Sequence, residues 1–244
     1  MSDSKAHPAD TETVGTLSQT AYQLIRRDIL SGVLEPGAKL KIETLRAAYQ
    51  VGPTPIREAL SRLSAEELVQ IEQQRGFRVA PVTIKELQDI SDVRIMLESE
   101  AVRRSILEGD YAWEANVVSA FHKLDRMEAA RRAHGAVDFD EWEARNREFH
   151  DALVAASGSK WLNNLGRQLY SHHERYRRAA LKQEHAAPQR DVHAEHRALM
   201  EASLARNVPA ALDMVRLHIE RTVEAVRASL AAAPRRDARQ RTPA

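Results

Sequence analysis

The chain has 244 residues, enough for a small domain and a larger one, each with its own core. It contains no cysteine, which excludes a disulfide framework, a Cys-ligated zinc site and a thiol nucleophile, and leaves His and oxygen as the ligands for any metal. Charges balance at 36 Lys and Arg against 35 Asp and Glu, so a nucleic-acid partner would have to be met by a local basic surface rather than by net charge.

No apolar run approaches the ~20 residues of a membrane span, and the polar start from Met1 to Thr13 lacks a signal peptide's apolar centre. A soluble, cytoplasmic protein is expected. Nine glycines and nine prolines, with many Ala, Leu, Arg and Glu, predict a mainly α protein. Residues 1–15 show no periodicity and are expected to form a disordered tail. Leu17, Ala21, Leu24, Ile25 and Ile29 then make one helical stripe that stops at Ser31-Gly32. Pro36-Gly37 is a turn pair, and a second helix from about Ile42 to Gln50 is expected to bury Leu45 and Ala48. Thr54 is placed to N-cap a third helix, with Pro55 at the first helical position.

In that third helix Ile56, Ala59, Leu60 and Leu63 recur on one face, and Thr54, Arg57, Ser61 and Arg62 fall on the other. Such a helix suits the major groove of DNA: backbone amides and Arg meet phosphate, and a guanidinium can fork onto guanine. An ordinary surface helix has the same pattern, so the flanking sequence decides. Leu68-Val69-Gln70-Ile71-Glu72 and Phe77-Arg78-Val79-Ala80-Pro81 alternate around Gln73-Gln74-Arg75-Gly76, the pattern of a β-hairpin with Arg75 and Gly76 at its tip. Helix, helix-turn-helix and basic-tipped hairpin together make a winged helix-turn-helix.

Gly32-Val33-Leu34-Glu35-Pro36-Gly37-Ala38-Lys39-Leu40, followed by Thr54-Pro55-Ile56-Arg57-Glu58-Ala59-Leu60 and Arg75-Gly76-Phe77-Arg78-Val79, resembles the DNA-binding domain of GntR-family bacterial transcription regulators. The resemblance implies that Thr54 and Arg57 contact DNA from the recognition helix and Gly76 from the wing tip. The chain departs from the family in having Gly52-Pro53 where Ser-Arg commonly precedes Thr-Pro, and Glu67 where glycine is common. A helix-stabilising ion pair is the default expectation for Glu58.

Thr83 with Glu86 is a capping box that opens a helix through about Leu107, with Leu87, Ile90, Val93, Leu97 and Ala101 as its buried stripe. Further helices are expected at roughly 112–133, 139–156, 161–182, 191–206 and 210–231, separated by Gly135, Gly158, Ala186-Ala187-Pro188 and Pro209. This all-α bundle resembles the FCD domain of the FadR-like subgroup. The expected division is therefore a tail (1–15), a winged helix-turn-helix domain (16–81), an FCD effector-binding and dimerisation domain (82–232) and a second disordered tail (233–244).

Within the bundle Asn146 and His150 stand at i and i+4, while His196 and His218 lie on apolar faces of two other helices. Three such imidazoles can converge and suit a divalent transition metal of the Zn, Ni or Mn class. These stretches also resemble the FCD metal site, which uses one Asp and three His, and Asn146 stands at the Asp position. The other seven histidines, His172, His173 and His193 among them, read as surface or packing residues. Arg94 falls on the buried stripe and needs an anion, which can be Glu98, another internal carboxylate or a bound ligand. The FCD resemblance implies that Arg94 faces the effector cavity, where a small carboxylate would bridge it to the metal, and Arg175 and Tyr176 are secondary candidates for the cavity wall. The expected function is a ligand-responsive DNA-binding regulator, a homodimeric repressor of a catabolic operon that senses an organic acid. The alternatives are a pure metal sensor and a metal-dependent bundle enzyme; against an enzyme, there is no His-Glu-x-x-His signature and no nucleophile-base pair.

Overall fold

A computed structural model of the chain describes residues 8–72, 76–134, 138–181 and 190–232. Arg75, Gly135, the 186–188 stretch and the 233–244 tail lie outside the described residues. The chain divides into two compact units, Met1–Thr83 and Ile84–Ala244. Among the described residues no helix is long and apolar enough to cross a membrane.

The first unit runs α1 (Pro8–Leu30), β1 (Lys39–Leu40), α2 (Ile42–Tyr49), α3 (Pro53–Ala65), β2 (Val69–Glu72) and β3 (Gly76–Val79). Helix α1 starts at Pro8, within the stretch expected to be a tail. Its inward line is Ser18, Ala21, Ile25 and Ile29; Leu17 points outward and Leu24 is only half-buried. The line turns towards polar residues because these find partners across the unit. Ser18 donates to Glu58 on α3, Tyr22 donates to Glu66 (2.6 Å), and Asp28 accepts from the Tyr49 hydroxyl (2.7 Å). Glu58 is thus a tie between helices rather than half of an ion pair along its own helix. Ala21, Ile25 and Ile29 close on Ile56, Ala59, Leu60 and Leu63 of α3, the face expected from its spacing.

Helix α3 begins one residue ahead of the expected cap. Gly52 is the N-cap and Pro53 the first helical residue, so Thr54 lies inside the first turn and makes no capping bond. Both prolines of the first turn sit where a missing N–H goes unused. The sheet order is β1-β3-β2, antiparallel throughout, with Lys39 opposite Arg78 and Gln70 opposite Arg78 on the other side. Strand β1 had no alternating signal because it is two residues long. At the end of α3 the Leu68 N–H bonds the Leu63 carbonyl (3.0 Å) and the Glu67 N–H bonds that of Ser64 (3.1 Å), a Schellman closure. Glu67 takes the left-handed position of that motif, at φ 58°.

The second unit is a bundle of α4 (Ile84–Glu108), α5 (Tyr111–His134), α6 (Phe139–Leu153), α7 (Lys160–Leu181), α8 (Val192–Leu204) and α9 (Val208–Ala232). Helix α4 packs on α7 and α9, α5 on α6 and α8, and α8 on α9. Asp138 and Asp191 cap α6 and α8 by accepting from the Asp140 N–H (2.8 Å) and the Ala194 N–H (3.0 Å). The core is apolar around Val102, Ile106, Trp113, Val117, Phe149, Leu199 and Ile219. On α4 the buried residues are Leu87, Ser91, Arg94, Ala101, Val102, Ser105 and Ile106, whereas Val93 of the expected stripe is exposed and Ile90 and Leu97 are half-buried. Three of those seven are polar, so an apolar count misplaces the face. Helix α7 is buried on every side from Tyr170 to Tyr176 although the run reads Tyr-Ser-His-His-Glu-Arg-Tyr. Fully enclosed helices are ordinarily apolar all round. His172 and His173 are therefore interior residues, not surface ones.

A non-glycine residue in the left-handed region costs roughly 1 kcal/mol, so Glu67→Gly is expected to stabilise the first unit by about that amount. Chemical denaturation of the full-length protein, followed by a probe in the first unit, should show a higher midpoint; an unchanged or lower one would mean that the Glu67 side chain compensates for its backbone.

Candidate functional site

On α3 the side chains of Thr54, Arg57, Ser61 and Arg62 are all exposed, opposite the face that packs on α1. They are not equally available. The Arg62 guanidinium lies over the Tyr22 ring (4.1 Å) and donates to Gln19 (2.8 Å), which draws it back onto α1. Arg57 has no ion-pair partner among the described residues, and Thr54 stands one turn before it. The amides contribute less than expected: Pro53 and Pro55 have no N–H, and that of Ile56 bonds the Gly52 carbonyl (3.3 Å). Thr54 is left as the first-turn amide that can reach an outside anion. In the wing, Gly76 is exposed at φ 94°, and Arg78 is committed internally to Glu72 (2.7 Å) and the Gly37 carbonyl.

In the second unit His150 of α6, His196 of α8 and His218 of α9 meet. One ring nitrogen of each lies within 4.8 Å of the others, and the ring centroids are 5.6, 5.2 and 4.8 Å apart. All three are buried. Each Nδ1 faces a carboxylate from a different helix: His150 meets Glu98 of α4 (3.0 Å), His196 meets Glu128 of α5 (3.0 Å) and His218 meets Glu195 of α8 (2.9 Å). For His150 and His196, Nδ1–H donation to the carboxylate leaves the Nε2 lone pair directed inward, whereas the His218 Nδ1 lies between Glu195 and Arg190 NH2 (3.2 Å), which itself donates to Glu195. The Nε2 atoms of His150 and His196 are buried with no partner among the described residues. Burial holds His150 below the ordinary imidazole value, against the pull of Glu98. It holds His218 well below, with His196 and His150 adding to the effect. Neutral imidazole is the ligating form.

Asn146 stands one turn before His150, and its Oδ1 is also buried without a partner. Its Nδ2 donates to the Tyr170 hydroxyl (2.6 Å), which donates in turn to Glu143 (2.8 Å). Burial, and then Glu143, push the Tyr170 pKa well above its ordinary value, so that proton stays in place. The phenol has one proton and spends it on Glu143; a carboxylate at position 146 would face its oxygen with nothing shared. An amide fits this network, and its carbonyl end is the one left open. Three converging imidazoles, the Nε2 atoms of His150 and His196 partner-free among the described residues, and one unpartnered amide oxygen are a donor set that fits a divalent transition metal.

Arg94 is 2 % exposed. Its Nε donates to Glu98 (2.8 Å), its guanidinium lies 4.8 Å from the Tyr170 ring centroid, and its NH2 is buried with no partner. Glu98 therefore bridges Arg94 and His150. Burial pushes the Glu98 carboxyl up, but Arg94, and then His150, outweigh it and hold the group below the usual carboxylate range. A cleft lined by Leu97, Glu98, His150, Arg167 and Tyr170 opens beside this cluster, and Arg94, expected to face the effector cavity, is not part of its lining. Arg175 and Tyr176 are buried on α7 but do not line the cleft; Tyr176 donates to Glu86 in the first turn of α4 (2.6 Å).

Six residues of this site escaped the sequence reading or were given another role there. Glu195 precedes His196 and Glu98 stands one turn after Arg94, so both had a local signal. Glu128, Tyr170 and Glu143 had none. His193, read as a surface or packing residue, is largely buried and holds Glu128 (3.1 Å), the carboxylate that orients His196.

Residues 17–79 match the family model described as bacterial regulatory proteins, gntR family, and residues 89–221 match the FCD domain. The chain is 41 % identical to the uncharacterized HTH-type transcriptional regulator BphR of Paraburkholderia xenovorans (strain LB400), over 91 % of this chain and 90 % of that one. It is 34 % identical to the HTH-type transcriptional repressor GlaR of Escherichia coli (strain K12), over 88 % and 97 %. The solved E. coli protein McbR/YncC shares the fold, with a TM-score of 0.74 and 20 % identity over 88 % of this chain and 98 % of that one. The sequence relatives are transcription regulators, which decides against the enzyme alternative. With both domains matched in order, and with relatives aligned along most of its length, the chain belongs to the GntR family and is a DNA-binding transcriptional regulator with an FCD domain.

Proposed function

We propose that the chain acts in the cytoplasm as a homodimeric repressor of a catabolic operon, and that a small organic carboxylate sets its grip on the operator. That acid would bind in the FCD unit, between Arg94 and a divalent transition metal held by Asn146, His150, His196 and His218. The observation that carries this reading is the set of inward-facing, carboxylate-held imidazoles beside a buried guanidinium with one unpartnered NH2. When bound, the ion supplies positive charge and coordination positions for an anion. Arg94 would meet the same anion through NH2, a charge-assisted bond worth more than a neutral one. Glu98 holds Arg94 through one oxygen and His150 through the other, so a ligand that pulls on Arg94 also acts on the orientation of His150.

One short helix reads too few bases for a specific site, and two copies on a roughly palindromic operator supply the rest. Met96 and Leu107 on α4 stay exposed, which supports a self-association face in the second unit. The name of GlaR as a repressor supports the same role here. Acid binding shifts the operator equilibrium only through a difference in affinity between the DNA-competent arrangement and the other.

Arg57→Ala is expected to weaken operator binding by about tenfold or more at fixed salt, the worth of one good bidentate base contact. Gel-shift titration checks it, and parent-like affinity and selectivity would count against the recognition face described above. Protein purified without a His-tag should carry about one divalent ion per chain by elemental analysis, and His196→Ala should lose most of it. A metal-free protein with an undiminished acid response would remove the ion from the account. Arg94→Ala should weaken the acid response by roughly tenfold or more while basal operator binding stays within about twofold. A retained response would place the anion elsewhere.

A further inference from the structure

Helix α3 begins with two consecutive residues that carry no polar side chain, Gly52 and Pro53. Gly52 is the N-cap, at φ −62°, and a Cβ added there would meet only Pro55 Cδ, at an ordinary 3.7 Å. Neither the backbone nor the packing requires glycine at that position. Pro53 is the first helical residue and is exposed, whereas Pro55, two residues on, is buried. A proline starts a helix without loss, which explains why the ring is tolerated at position 53 but not what the ring meets. Thr54 and Arg57 are exposed as well, and Arg57, four residues on, shares the face of Pro53.

Membership of the GntR family makes this unit a DNA-binding one, and in a helix-turn-helix the N-terminal residues of the second helix are those that reach base edges. Pro53 has no N–H and no side-chain heteroatom, so its side chain can meet neither a phosphate oxygen nor a base donor or acceptor by hydrogen bonding. What it offers is an apolar ring. On the floor of the major groove the C5-methyl of thymine is the one apolar group among donors and acceptors. The spacing to Arg57 then sets a register. Four helical residues span about 6 Å along the axis, against about 3.4 Å for each base-pair step.

We propose that Pro53 is a specificity-determining residue of the DNA contact, whose exposed ring packs on the C5-methyl of a thymine about one or two base pairs from the guanine met by Arg57. Each half-site of the operator then holds a G·C pair and a T·A pair at that spacing, the first read by a guanidinium and the second by an apolar surface. Gly52, with no side chain, lets the groove floor come up to the ring. This rests on the reading of α3 as the helix in the major groove and adds a second base to it.

The test uses the full-length protein and duplexes that it selects from a random pool. Arg57→Ala, selected in parallel, marks the guanine by losing the preference at that pair. Duplexes selected by the parent should hold a thymine about one or two pairs away. Deoxyuridine in its place removes the methyl group alone and should weaken parent binding about fourfold per half-site in gel-shift titration, the worth of one methyl group withdrawn from water. Pro53→Ser should bind the thymine and deoxyuridine duplexes equally, whereas Arg57→Ala should still tell them apart. A pool without thymine at that distance, equal binding of the two duplexes by the parent, or a preference that survives in Pro53→Ser would overturn the role of Pro53 and leave the groove reading of α3 standing. Parent-like affinity and selectivity in Arg57→Ala would overturn both. The deoxyuridine comparison in the parent needs no variant, so it decides the matter even if Pro53→Ser does not fold.

Discussion

The second unit depends on three imidazole-carboxylate bonds that cross between helices. His150 with Glu98 joins α6 to α4, His196 with Glu128 joins α8 to α5, and His218 with Glu195 joins α9 to α8. Each bond does two things at once. It turns one ring nitrogen towards a carboxylate and so sends the other to a common interior point, and it locks a pair of helices in the register at which that point exists. A bundle held only by Val102, Phe149, Leu199 and Ile219 would tolerate small slides and rotations. The polar contacts are less forgiving, since a slide that breaks one of them leaves a buried carboxylate or imidazole unmatched.

Burying this much polarity gives away stability that an apolar interior would keep. Helix α7 shows how the fold offsets it. Glu143 gathers Tyr170 and Arg177, Glu174 takes Arg147 (side chain to side chain) and Arg178 (2.9 Å), and Tyr170 is flanked by Arg94, Arg147 and Arg177. Among the described residues, the buried atoms without a partner include Arg94 NH2, Asn146 Oδ1 and the Nε2 atoms of His150 and His196, which a binding site requires, as well as His173 Nε2 and Ser105 Oγ.

The first unit follows the opposite logic, using surface polarity to fix one helix and leaving only a few side chains free. Ser18, Gln19 and Tyr22 of α1 engage Glu58, Arg62 and Glu66 of α3 and its C-cap. These contacts set the roll of α3 about its axis. Arg62 and Arg78, which look like DNA contacts by composition, are spent on structure. Arg57 and Thr54 keep their reach, and their orientation is held by the bonds that consume their neighbours.

Much of this was legible from the chain alone. Apolar spacing, proline and glycine placement and capping residues located the helices to within a few residues, except for the start of α1 at Pro8 in a stretch without periodicity, because those signals act over three or four positions. The same local arithmetic put Asn146 and His150 on one face and picked out His196 and His218. What tertiary structure decided was the fate of polar groups. Whether Ser18, Glu58, Arg62, His173, Glu128 or Tyr170 is buried, spent or open depends on partners 24 to 68 residues away or on helices that meet only after folding. A polar side chain carries no periodic mark of burial, since it pays for entering the interior only by the partner it finds there.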